Sequence, residues 1–331
     1  MNSKKIAIFG CKSTTQLLIE NLVDLVKIDW LITINENLAS KFEVADYTDL
    51  KPICNQHDIK IYHANNYSLK SEIDLNFFTE EKIDLVLVAG WQRLVPENIL
   101  NTFSIGSFGM HGSALDLPKG RGRSPMNWAL IEGKQQFYTN LFKYDPGVDS
   151  GDVLDTFKFQ ITNKDNAESM HFKNTLSMIY LVKKNIASLL NADFKLVKQK
   201  SHITPTYYPK RSPDDSLIDW ENDISSIDRF IRAVSPPFNG AFAFLNNINK
   251  IKIIEAQQFD TSDFGYSNDN VGTIVQIFPN NKFLLKCYGG LLYVSKYECE
   301  QIPKRNDFIN NGKMIHNNFP RNEQGNFDII E

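Results

Sequence analysis

Along the first 160 residues, short apolar runs alternate with stretches whose apolar positions recur at helical spacing. Lys5–Phe9 (KIAIF) reads as a buried strand ending at Gly10. Thr14–Val26 has helical spacing, Asp29–Ile34 (DWLITI) reads as a second strand, Thr48–His57 as a helix and Lys60–His63 as a short strand. Ser71–Lys82 is expected to be helical, and Asp84–Ala89 (DLVLVA), closed by Gly90, is the clearest buried strand. Alternation of this kind predicts βαβ units around a parallel sheet that takes its ligands at the carboxyl ends of the strands. Ser124 and Pro125 read as the N-cap and first residue of a helix reaching Glu132, and Lys173–Leu190 as a longer helix packed on the sheet.

The pattern changes after that helix. Asn191 to about Asp223 is polar and carries Pro205, Pro209 and Pro213, as a linker does. Ile227–Val234 is a short helix stopped by Pro236 and Pro237. Beyond Gly240, the segments Lys250–Ile254, Gly272–Ile277, Phe283–Tyr288 and Leu291–Tyr297 read as β, with Gly289-Gly290 signalling a hairpin. The expected organisation is an α/β domain over residues 1–190, a linker and connecting helix over 191–240, and a small β-domain over 241–331.

Composition narrows this picture. A chain of 331 residues suits two domains, and 42% hydrophobic with 23% charged residues is a globular balance. No apolar run reaches membrane-spanning length. The start, MNSKKIAIFG, enters a strand at once and is expected to carry no leader. The net charge of −3 lacks the basic excess of a chain built to neutralise phosphates. Cys11, Cys54, Cys287 and Cys299 are scattered and form no CxxC, so neither a zinc ribbon nor a disulfide framework is expected; a reduced cytoplasmic protein is. The first turn, GCKSTT, holds only Gly10. A dinucleotide fingerprint needs three spaced glycines, and no P-loop is present.

Candidate chemistry gathers in Gly106–Thr156. This region holds His111, a basic glycine-rich loop (Lys119-Gly120-Arg121-Gly122-Arg123) and a second loop, Asp145-Pro-Gly-Val-Asp149-Ser-Gly-Asp152. Two glycine-bearing loops beside strand ends are a usual setting for an active site. His57, His63, His171, His202 and His316 form no ligand spacing, so no metal site is expected.

Three motifs in order resemble the folate-dependent formyltransferase superfamily. They are Gly109-Met110-His111-Gly112-Ser113, then Leu117-Pro118-Lys119-Gly120-Arg121-Gly122, then Gly147-Val148-Asp149-Ser150-Gly151. The family patterns are Asn-x-His-(Pro/Gly)-Ser, Leu-Pro-x-x-Arg-Gly and Gly-(Val/Leu)-Asp-(Thr/Ser)-Gly. Tyr207-Tyr208-Pro209-Lys210-Arg211 and Ile231–Phe242 also resemble the family's linker and the entry to its C-terminal barrel, so the likeness runs from about residue 80 to 245. It implies a Rossmann-like α/β formyltransferase domain with a mostly parallel sheet, followed by a small C-terminal β-barrel-like domain. It implies N10-formyltetrahydrofolate as formyl donor, with His111 and Asp149 catalytic. It places the pterin along Gly90, Trp91, Arg93, Val95, Tyr144 and Asp145, and the acceptor against Ser113, Lys119, Arg121, Arg123, Tyr207, Lys210 and Arg211. One departure stands out: the family's catalytic Asn, two residues before the His, is here Gly109. Either another group takes its place or the chain is a non-catalytic relative.

Formyl transfer between amines needs no Ser or Cys nucleophile, because the acceptor amine attacks. It needs a donor for the developing oxyanion and a group that moves protons, which a His–carboxylate pair supplies. For the acceptor, methionyl-tRNA and a sugar nucleotide bearing an amine both fit the family. Residues 35–46 carry one Lys against three acids, and residues 241–331 carry nine basic against ten acidic residues. Such a surface suits a polyanion poorly. A nucleoside diphosphate needs only a few cations and a ring to stack on. The charge pattern therefore favours a sugar nucleotide, and the resemblance implies which: a dTDP-amino-dideoxy sugar, first dTDP-4-amino-4,6-dideoxyglucose, for surface polysaccharide. The expected partners are this small molecule and, in a homodimer, a second copy, with no nucleic acid and no membrane.

Overall fold

The computed structural model describes residues 4–317 and 319–328. The elements in chain order begin with β1 Ile6–Phe9, α1 Ser13–Leu22, β2 Trp30–Thr33, α2 Glu36–Lys41, α3 Lys51–Gln56, β3 Lys60–His63, α4 Glu72–Glu81, β4 Leu85–Val88, α5 Glu97–Leu100 and β5 Gly106–Ser113. They continue with β6 Arg121–Gly122, α6 Pro125–Ile131, β7 Gln136–Lys143, β8 Val153–Gln160, α7 Ala167–Leu190, β9 Tyr207–Tyr208 and α8 Ile224–Ala233. The last strands are β10 Ala241–Leu245, β11 Asn249–Asp260, β12 Ile274–Ile277, β13 Phe283–Cys287, β14 Gly290–Cys299 and β15 Ile309–Asn310. By contact density the chain forms two units. One comprises Met1–Arg121, Tyr138–Lys158 and Asn174–Pro205; the other comprises Gly122–Phe137, Phe159–Lys173 and Thr206–Glu331.

The first unit is built on a seven-stranded sheet in the order β3-β2-β1-β4-β5-β7-β8. β1 to β5 are parallel, and β7 pairs antiparallel with β5. The parallel strands are apolar on both sides because both faces are covered. Ile8, Leu85, Leu87 and Phe108 pack with α1, α3 and α7 on one face. Ala7, Phe9, Val86 and Val88 pack with Phe78 of α4 and Ile99 of α5 on the other. The strand order reverses between β1 and β4, which makes their carboxyl ends the switch point of the sheet. Gly10 closes that point. A Cβ there would lie 2.0 Å from the Ala89 carbonyl oxygen and 2.2 Å from Thr15 Oγ1, and the Thr15 hydroxyl donates to Ala89 O at 2.6 Å.

The second unit holds a six-stranded antiparallel sheet, β12-β13-β14-β11-β10-β15, with α8 packed on β11 and β14. Register shifts at Ile253/Glu255, Glu255/Ala256 and Gln258/Asp260 bulge β11 against β14, and bulges increase twist and bend the strand. The β13–β14 hairpin turns at Tyr288-Gly289, with Cys287 opposite Gly290. Among the described residues, no helix is long and apolar enough to cross a membrane.

Two local expectations are corrected and one is refined. Ser124 stands at the N-cap of α6 with Pro125 as the first helical residue, as expected, but its backbone is left-handed (φ 53) and its hydroxyl accepts from the Arg211 N–H at 3.1 Å instead of capping the helix. Helix α7 starts at Ala167, six residues before the apolar spacing suggests, behind the Asn166 side chain that accepts from the Ser169 N–H. His111 and its neighbours form a strand, β5, that the sequence pattern does not predict. The fold accordingly makes Gly10 intolerant of a side chain. Gly10→Ala is expected to lose about 1–3 kcal/mol, read as a fall in the midpoint of urea unfolding; an unchanged midpoint contradicts this packing.

Candidate active site

Strand β5 sets the site by its parity. Phe108 and Met110 point into the layer of α1, α3 and α7, so Gly109 and His111 face the opposite side, where Trp91, Val95 and Tyr144 pack. Val88 pairs with Gly109, so His111 stands just past the end of β4, at the carboxyl edge of the parallel strands. The imidazole is buried, 7% exposed, between two acceptors. Its Nε2 is 2.7 Å from the Gly120 carbonyl oxygen, and its Nδ1 is 3.3 Å from Asp149 Oδ2. A carbonyl only accepts, so Nε2 donates to Gly120, and Nδ1 faces the Asp149 carboxylate. Asp149 keeps 21% of its side chain exposed, so the carboxylate is the solvent-facing end of the pair.

The loop carrying Asp149 is fastened by residues outside the motifs. Gln199 donates through Nε2 to both the Asp149 and Gly151 carbonyls, each at 2.8 Å, and its Oε1 accepts from Arg121 Nη2 at 2.6 Å. Asp145 accepts from the Gly147 N–H at 3.1 Å and from the Ser150 hydroxyl, closing the turn. Asn140, directly across from His111 on β7, is fully buried. Its Oδ1 accepts from the Thr156 hydroxyl at 2.6 Å, and its Nδ2 meets no partner among the described residues. No sequence motif marks Gln199 or Asn140. Gln199 lies in a polar stretch and Asn140 between aromatic and apolar neighbours, and only the fold brings them to the Asp149 loop and the His111 strand.

Other expected contacts have different positions. Ser113 is fully buried, and its hydroxyl accepts from the Leu115 N–H at 3.2 Å, so it shapes the 113–120 loop instead of meeting an acceptor. Arg121 is 8% exposed and held by Gln199, as a part of the scaffold. Lys119 is exposed. Trp91 and Val95 are core residues, 7% and 2% exposed, so the segment from Gly90 presents backbone rather than these side chains. Arg93 lies over the rings of Phe42 and Tyr67, 5.3 and 5.0 Å from their centroids.

In the second unit, the Arg123 N–H donates to the Tyr208 carbonyl at 2.8 Å, and Arg123, Tyr207, Tyr208, Lys210, Phe319 and Phe327 line a cavity of about 350 Å³. The Arg123 and Lys210 side chains are exposed. Arg211 is turned away from that role. It donates to the Asp215 carbonyl and lies 4.8 Å from the Trp128 ring centroid, and burial lowers its pKa to about 10. Asn127 is buried, its amide donating to Ala233 O at 2.7 Å, where it caps α8.

The sequence matches the formyl transferase family over residues 4–176, and that family's C-terminal domain over residues 210–311. The chain belongs to the formyl transferase family. Its Rossmann-like domain and antiparallel β-domain are those of that family, and the chain spans less than half the length of the curated relative it matches. A curated relative is the bifunctional polymyxin resistance protein ArnA of Wigglesworthia glossinidia brevipalpis, 28% identical over 263 residues; the match covers 78% of this chain and 38% of the relative. Among solved structures, the N-formyltransferase of Helicobacter canadensis, in complex with folinic acid and dTDP-3-aminofucose, shares 20% identity at a TM-score of 0.63, covering 88% of this chain and 99% of that one. The 4-N formyltransferase of Francisella tularensis shares 16% identity at 0.58, over 73% and 93% of the two chains. At these identities both show the likeness of fold.

The geometry makes Gln199 a positioning residue for Asp149. Gln199→Ala removes hydrogen bonds worth about 1 kcal/mol each and is expected to lower kcat for formyl transfer roughly tenfold or more, with a smaller effect on the melting temperature. A kcat within twofold of wild type would detach Gln199 from the chemistry.

Proposed function

We propose that the chain is a sugar-nucleotide N-formyltransferase, moving the formyl group of N10-formyltetrahydrofolate to the amine of a dTDP-amino-dideoxy sugar. The observation that carries this reading is the His111–Asp149 pair at the carboxyl edge of the sheet, a proton-handling couple and not a nucleophile. The folate supplies an activated one-carbon acyl group. The residues present suit such a ligand: Leu94 is 55% exposed beside the strand end, the segment from Gly90 presents its backbone, and the Tyr144 ring is half-buried.

In this reading Asp149 takes the proton of the attacking amine, and His111 shares the charge through Nδ1 while its Nε2–H stays on Gly120. The same pair returns the proton to the folate nitrogen as it leaves. One couple thus serves as base and then acid.

Acceptor selection rests on charge and scale. The cavity lined by Arg123, Tyr207, Tyr208 and Lys210 offers two exposed cations and several rings, and about 350 Å³ suits a nucleotide. A tRNA would need a broad basic surface, and the chain carries a net charge of −3. Our first choice of acceptor is dTDP-4-amino-4,6-dideoxyglucose, giving a formamido sugar for a surface polysaccharide such as O-antigen, made in the cytoplasm. The solved relatives named for 3-amino and 4-amino sugars support the class of acceptor.

Incubation with N10-formyltetrahydrofolate and a panel of dTDP-3-amino and dTDP-4-amino sugars, following tetrahydrofolate release, is expected to give turnover with one of them and none with charged initiator tRNA. Transfer to the tRNA alone would overturn the reading. Within the panel, Arg123→Ala and Lys210→Ala are expected to raise KM for the amino sugar several-fold each with kcat little changed. An unchanged KM in the double variant would remove both residues from the acceptor site.

A further inference from the structure

Acyl transfer builds negative charge on the formyl oxygen, and a donor must meet it. The His111 ring cannot supply one without breaking contacts, since both its nitrogens are engaged with Gly120 and Asp149. Two other polar side chains on this face have donors to spare. The Asn140 amide is fully enclosed, at 0% exposure. Tyr144 is different. Its ring is half-buried, and its hydroxyl makes no hydrogen bond with a described residue.

Where that hydroxyl stands is fixed by Gly109. A Cβ on Gly109 would lie 2.3 Å from Tyr144 Cε1 and 2.7 Å from both Cζ and Oη. The backbone at Gly109 does not have a positive φ, so glycine is required there by the ring and not by the chain's path. The ring is held in place. It stacks on Phe142 (centroids 5.2 Å apart, planes at 19°), its N–H donates to Ser107 O at 2.8 Å, and it packs against the core beneath. Gly109 and His111 lie two residues apart on one face of β5, so the Tyr144 hydroxyl sits beside the imidazole's own row.

We propose that Tyr144 is a catalytic residue of this site, its Oη–H donating to the formyl oxygen, and that Gly109 is the residue that admits it. The proposal rests on the formyl-transfer reading above. In the step it serves, the acceptor nitrogen bonds to the formyl carbon while the C=O pair moves onto the oxygen held by Tyr144. The carbon–N10 bond then breaks, its electrons stay on the folate nitrogen, and the proton lost by the amine reaches that nitrogen through Asp149 and His111. Burial of the hydroxyl, with the Asp149 carboxylate adding to it, raises the Tyr144 pKa, so the proton it donates stays in place.

The test uses the full chain and two readouts. Tyr144→Phe keeps the ring and loses the hydroxyl. It is expected to lower kcat about 10²–10³-fold with KM for both substrates within a few-fold. Gly109→Asn alone should lose activity by colliding with the ring, and Tyr144→Ala with Gly109→Asn should recover at least tenfold of what Tyr144→Ala loses. Independently of any acceptor, the carbonyl stretch of ¹³C-labelled 10-formyl-5,8-dideazafolate bound to the wild type should lie at lower wavenumber than when bound to Tyr144→Phe. An identical stretch in the two proteins, or a Tyr144→Phe kcat within threefold of an active wild type, overturns the proposal. Because the infrared readout needs no sugar, a failure of the acceptor reading leaves it intact and is recognised separately.

Discussion

A buried imidazole held between two acceptors is the constraint around which the first unit is arranged. Gly120 offers a carbonyl, which fixes one ring nitrogen as a donor, and Asp149 sets its carboxylate against the other. A buried polar ring with unmet partners would be costly, and the chain meets both partners by unusual backbone. Gly120 has φ +70, and Asp149 itself is left-handed at φ 49. Gln199 then ties the Asp149 loop to Arg121. The acid's reach is thereby set by hydrogen bonds that the motif does not contain.

The parallel core was legible because its strands are continuous apolar runs: IAIF, LVLV and their neighbours can be buried on two faces and nowhere else. β5 was not legible as a strand. GSFGMHGS carries three glycines, a poor β composition, and it is extended because β4 pairs with it on one side and β7 on the other. β7 has little alternation to read, because it is buried almost throughout and its Thr139 and Asn140 are held by Asn174 and Thr156; β8 went unread although exposed Thr156, Lys158 and Gln160 alternate with Phe157 and Phe159. Short-range pattern fails where pairing, not burial, makes the strand.

The site divides similarly. His111 and Asp149 were singled out by motifs that resemble the family's, and the structure brings them into contact. Ser113, Arg121 and Arg211 are of the right type for a ligand, yet each turns inward. A guanidinium serves a carbonyl, an aromatic ring or a Gln as well as a phosphate, and sequence alone does not say which is nearest. Gln199 carried no signal at all. Gly109 carried one that could be read two ways, as a loss or as a clearance. The Tyr144 ring over it shows clearance. In the second unit, the exposed Arg123 and Lys210 remain beside a cavity with aromatic walls, a modest charge suited to a small anion and unlike the broad field that draws a nucleic acid.

The account depends on the Asp149–His111 couple moving the amine's proton. Its most direct test is kcat of Asp149→Asn with N10-formyltetrahydrofolate and the preferred dTDP-amino sugar, with donor binding checked separately. A fall of about 10²–10⁴-fold with donor affinity retained is the expected result; a variant that binds the donor and turns over within a few-fold of wild type would contradict the account.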